Sequence, residues 1–160
     1  DMARRIKAAL GGSIRGKRIG VLGVTFKPNT DDIREAPSLV ILPILSGDGA
    51  SVQVYDPQGR AHGEAELPQV EWCASAPEVA KDADAVVVLT EWNEFRALDL
   101  TELRERMRGH VLFDFRNIFK ASDAEDAGLL YYGIGKPSQP SARANGNAKT
   151  RSTFQSTSGW

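Results

Sequence analysis

The chain has 160 residues, 41% of them hydrophobic, which suffices for one domain around a single core. Twenty basic against twenty-one acidic side chains leave a formal charge of −1, without the basic excess of a nucleic-acid binder, though a local basic pocket for one small anion stays open. The longest apolar run, "PSLVILPIL", is too short to span a bilayer, nothing at the start resembles a signal peptide, and the single Cys73 excludes an internal disulfide or a cysteine-based zinc cluster, so a reducing cytoplasm is the simplest setting.

In chain order, "DMARRIKAAL" reads as a helix stopped by Gly11 and Gly12. "KRIGVLGVTF" reads as a buried strand continuing through Phe26 into the charged stretch "KPNTDDIREAP". "SLVILPILSGDGA" reads as a helix that Pro43 should kink or shorten. "SVQVYDP" is a second strand, cut off by Asp56 and Pro57, "VEW" a minor strand, and residues 76–81 a short helix. "ADAVVVLT" is the clearest buried strand. "DLTELRERMRG" is an amphipathic helix with Asp99 or Thr101 as N-cap and Gly109 as its stop. "HVLFDF" is a strand, "SDAEDAG" a helical turn and "LLYYGI" a last strand. Strands apolar throughout, alternating with helices, predict a Rossmann-like, three-layer α/β/α domain with a mostly parallel sheet. From about residue 137 the composition turns to Ser, Asn, Thr, Gln, Arg and Gly, which predicts a disordered tail over 137–160; Phe154 and Trp160, its large apolar residues, also allow a docking peptide.

Ligands of open parallel sheets bind outside the carboxyl ends of the strands. Here four strands run out into Phe26 and Lys27, Asp56, Glu91 and Trp92, and Arg116 and Asn117. Lys27 and Arg116 can together hold a diphosphate, one as a point charge and the other through its planar fork, with Phe26 or Trp92 against a flat base. Each residue also has a plain reading. Lys27 can be a solvated loop lysine, Arg116 can pair with Asp114 or cap a helix, and Trp92 can pack between helix and sheet. Asp31, Asp32 and Arg34 can form a helix N-cap region with a local ion pair. His62 and His110 show no metal-like spacing and read as surface or packing residues. "GVLGVTF" does not carry the G-x-G-x-x-G fingerprint of a dinucleotide loop, and Cys73 has no neighbouring base. The residues alone point to a module for a small phosphorylated ligand, without visible catalytic apparatus.

Taken together, "GVTFKPNTDDIREAPS", "VYDP", "ADAVVVLTEWNEF", "FDFRNIF" and "YYGIG" occur in an order and spacing that resembles the C-terminal, UDP-binding domain of UDP-glucose 6-dehydrogenases, within the UDP-glucose/GDP-mannose dehydrogenase family. The resemblance implies an enzyme that oxidises UDP-glucose to UDP-glucuronate with NAD, as a homo-oligomer. NAD and the catalytic cysteine would belong to an N-terminal domain outside this chain, and Cys73 does not inherit that role. It implies that residues 1–14 end the inter-domain connecting helix and that 15–136 form the UDP-binding domain. It further implies that Phe26, Lys27 and Arg116 contact the substrate and that Arg34 reaches across the cleft to NAD. On that reading the charged stretch faces a diphosphate at one end and a second nucleotide at the other, and the chain alone does not reduce NAD. Two other readings are a stand-alone nucleotide-sugar-binding or regulatory module, and a structural domain supporting dimer contacts.

Overall fold

The apolar runs become strands, and every strand pairs in parallel. The computed structural model describes residues 1–133; the expected tail at 137–160, with Phe154 and Trp160, lies outside the described residues. The elements in chain order are α1 (Met2–Ala9), β1 (Arg18–Leu22), α2 (Ser38–Gly47), β2 (Ser51–Tyr55), α3 (Arg60–Glu66) and β3 (Glu71–Trp72). A 3-10 turn (Pro77–Ala80) leads to β4 (Ala85–Val88), α4 (Asn93–Arg96), α5 (Leu100–Arg106), β5 (Val111–Asp114), α6 (Ala121–Asp126) and β6 (Leu130–Gly133). The sheet order is β3-β2-β1-β4-β5-β6, with all pairings parallel.

Side chains alternate across the pleat, so a strand apolar at every position needs cover on both faces. One face sends Ile19, Val21, Val87 and Phe113 against Ile6 of α1 and Leu42 and Leu45 of α2. The other sends Leu22, Val86, Val88 and Leu112 against Val79 of the 3-10 turn, Phe95 of α4 and Leu103 of α5. Each such Val, Leu or Phe contributes about 1.5–3 kcal/mol by leaving water, and the three layers follow from that requirement.

Several local expectations need correction. β1 ends at Leu22 because Gly23 takes φ +93, and a Cβ there would lie 2.5 Å from Thr90. Pro43 does not end α2, which runs on to Gly47; the proline lies on the helix's exposed side, away from the core residues Leu42 and Leu45. α5 is capped by Asp99, which accepts from the backbone N–H groups of Thr101 and Glu102, but it ends at Arg106, ahead of Gly109. Gly109 serves a different purpose, since a Cβ there would sit 2.3 Å from the Asp84 carbonyl oxygen. On β1, Gly20 likewise lets the 3-10 turn approach bare backbone, and buried Gln53 of β2 donates to the carbonyls of Val79 (2.7 Å) and Lys81 (2.9 Å). No helix among the described residues is long and apolar enough to cross a membrane.

Candidate functional site

The chain direction across the sheet reverses between β1 and β4, which makes the carboxyl ends of these strands the switch point where open α/β sheets receive ligands. The loops that follow β2, β1, β4 and β5 stand side by side there, so the four sets of polar residues do share one edge.

The acids and the tryptophan turn inward. Asp56 is buried, and its carboxylate accepts from the backbone N–H groups of Val24 (2.8 Å) and Thr25 (3.1 Å) and from the Thr25 hydroxyl (3.0 Å). Its second oxygen accepts from the N–H groups of Gln58 (3.0 Å) and Gly59 (2.8 Å). Trp92 is buried too, with its indole N–H placed between Thr25 Oγ1 (3.2 Å) and Asp56 Oδ2 (3.3 Å). Thr90 donates to the carbonyl of Thr25 at 2.8 Å, and Ser38 at the start of α2 donates to that of Val24 at 2.7 Å. Asp56 therefore organises the loop after β1, and Trp92 is packing, not a platform for a base.

The cations turn outward. Phe26 is 47% exposed and Lys27 is exposed, with no ion pair or hydrogen bond for the lysine among the described residues. Their loop is closed behind them by a bond from the Phe26 N–H to the Asp32 carbonyl (2.9 Å). Arg116 leaves β5, two strands from β1, so the two cations start roughly 10 Å apart across the edge. Its guanidinium does not pair with Asp114. It meets Glu91 through Nε to Oε2 (3.1 Å), Nη2 to Oε1 (3.1 Å) and Nη2 to Oε2 (2.8 Å). Asp114 acts on the backbone instead: fully buried, it accepts from the N–H groups of Arg116 (3.2 Å) and Phe119 (2.9 Å) and from the Tyr131 hydroxyl (2.8 Å). Burial, then the bond to Asp114, push the Tyr131 phenol well above its usual range, so it stays a donor.

Arg34 lies elsewhere. Its side chain is 87% exposed and grips Asp32 through Nε and Nη2, each 3.0 Å from a carboxylate oxygen. The Arg34 hydrogen bonds pull the Asp32 carboxyl down to about 2. The pair forms one wall of an open groove of about 840 Å³ between the 30–35 loop and α3, which includes Ile33, Leu39 and Ala61. His62, read as a surface or packing residue, faces Asp31 there across 3.1 Å. Neither Lys27 nor Arg116 lines this groove.

An unpaired lysine and a partly open arginine fork on the same edge as an exposed aromatic ring suit an anionic ligand with a flat group. Cys73 is half-buried, its thiol pushed up to about 11 by burial, which disfavours the thiolate. No cluster of potential metal ligands occurs among the described residues. Glu91 was visible as an acid after a strand, but its partner is 25 positions away and follows only from the β4-β5 pairing.

The sequence profile described as the UDP-glucose/GDP-mannose dehydrogenase family, UDP binding domain, matches residues 20–121. The chain belongs to that family. The chain is 45% identical over 137 residues to a UDP-glucose 6-dehydrogenase of Rhizobium meliloti (strain 1021), covering 85% of this chain and 31% of the relative. Among solved structures, a UDP-glucose dehydrogenase from the hyperthermophilic archaeon Pyrobaculum islandicum superposes with a TM-score of 0.68 at 29% identity, over 84% of this chain and 29% of that one. An NDP-N-acetyl-D-galactosaminuronic acid dehydrogenase from Methanosarcina mazei superposes with a TM-score of 0.71 at 29% identity, over 84% of this chain and 28% of that one. The chain thus spans under a third of the length of the curated relatives it matches. These dehydrogenases share its Rossmann-like three-layer architecture.

Proposed function

We propose that this chain is the C-terminal part of an NAD-dependent UDP-glucose 6-dehydrogenase and binds the UDP half of UDP-glucose, with residues 15–136 as the binding domain and 1–14 as the end of a connecting helix. The observation that carries the reading is the outward convergence of Phe26, Lys27 and Arg116 on one sheet edge, in a chain that belongs to this family. Lys27 supplies an unneutralised positive charge, the free N–H groups of Arg116 supply directional donors for phosphate oxygens, and Phe26 supplies a face for the pyrimidine. The strong identity to UDP-glucose 6-dehydrogenases favours a glucose-bearing substrate, and a reducing cytoplasm and a homo-oligomeric whole enzyme accompany that reading.

NAD does not fit the switch point of this chain. Thr90 fills the space beside Gly23, α2 does not begin until Ser38, and Ser38 is engaged with the backbone of Val24. The exposed Arg34, far along the loop from Lys27, is available to a nucleotide held mainly by another domain. Calorimetric titration of the 160-residue chain with UDP, and GDP as control, tests the proposal. Saturable heat with UDP and little with GDP supports a uridine-diphosphate site. Heat with neither, or equal heat with both, overturns it.

A further inference from the structure

We infer that Glu91 is a positioning residue that holds the Arg116 guanidinium so that its opposite edge faces the phosphate; the inference rests on the uridine-diphosphate reading above. A guanidinium offers five N–H groups along its edges. Glu91 occupies the edge formed by Nε and Nη2, with three contacts between 2.8 and 3.1 Å. Nη1 makes no hydrogen bond or ion pair with any described residue, so the end of the fork keeps its donors for a ligand. The backbone of Arg116 is held separately, its N–H bonded to buried Asp114, so main chain and side chain are both ordered before a ligand arrives. The pair is only partly exposed, at 35% for Arg116 and 26% for Glu91, which limits water's competition for the contact.

Two physical effects oppose each other here. Glu91 is a negative charge close to a site for a dianion or trianion, so Coulomb repulsion alone predicts that removing it tightens binding. Ordering a long, flexible arginine only when the ligand binds weakens association by about threefold to tenfold. The side-on geometry decides for ordering, because Glu91 leaves the phosphate-facing edge open instead of covering it.

The test measures UDP affinity of the 160-residue chain by calorimetry, with urea unfolding of each variant as the check on folding. Glu91→Ala is expected to bind UDP about threefold to tenfold more weakly while its unfolding midpoint stays near that of the wild type. Glu91→Gln, which keeps one acceptor for the fork, is expected to fall between the two. In an Arg116→Ala background, Glu91→Ala is expected to cause no further loss. Equal or tighter binding by Glu91→Ala overturns the inference and makes Glu91 a competitor for Arg116. A loss of equal size with and without Arg116 overturns it as well, because Glu91 then acts through something other than Arg116. An absence of UDP heat from the wild-type chain overturns the parent reading first.

Discussion

Asp56 follows β2 and Asp114 ends β5 at the same edge from which Lys27 and Arg116 emerge, yet the two kinds of charge have opposite surroundings. Each carboxylate is buried and surrounded by N–H and O–H donors from the loop that follows it and from a neighbouring loop or strand. Lys27 is exposed and unpaired among the described residues, and Arg116 keeps part of its fork open. The acids shape the loops, and the cations are presented by them. Charge at the end of a strand is therefore not evidence of a ligand contact by itself; burial and donor count separate the two roles.

The sharpest way to break this contrast is to remove an acid. Asp56→Ala strands five or more donors in a buried site and is expected to cost about 3–5 kcal/mol in urea unfolding. A loss under about 1 kcal/mol would show that the loop holds its shape without that carboxylate. Next, Gly23→Ala places a Cβ against Thr90 in a left-handed conformation and is expected to cost about 2–4 kcal/mol. Lys27→Ala and Arg116→Ala should behave oppositely. Each is expected to change stability by no more than about 0.5 kcal/mol, and to weaken UDP binding by about 1.5–3 kcal/mol. If either unfolds the domain as Asp56→Ala does, the division between the two kinds of charge fails.

The smallest effect concerns acid. Arg108 hydrogen bonds hold the Asp84 carboxyl below its usual range. Its folded pKa being the lower one, Asp84 adds stability above an unfolded value of about 3.9 that disappears as pH falls through the folded value. Asp84→Asn is accordingly expected to lower the urea midpoint modestly near neutrality and to converge with the wild type as pH falls below about 4, so that its acid decline is flatter. An unchanged acid decline would remove Asp84 from that account.

The fold was legible because its strands are apolar at every position: "AVVV" and "VLF" have no polar face to offer water, which requires a covered parallel sheet. α3 was not legible, since "RAHGEAE" carries no apolar stripe. Its buried residue is Gly63, tucked where a Cβ would meet the Trp72 ring at 2.4 Å. The stop of β1 depends on the backbone angle of Gly23, which the letter alone does not disclose. The position of Phe26, Lys27 and Arg116 at the carboxyl edge of the sheet was legible, because they are polar and aromatic punctuation after apolar runs. The inward turn of Asp56 and Trp92, and the grip of Glu91 on Arg116, depend on neighbours contributed by other strands, 36 and 25 positions away.

The most direct test of the central claim is the amide NMR spectrum of the isotopically labelled chain during titration with UDP. The account predicts saturable shifts centred on Phe26, Lys27 and Arg116, with the 30–35 loop and α3 little affected. Shifts confined to Arg34, His62 and their groove, with Lys27 and Arg116 unmoved, would contradict it.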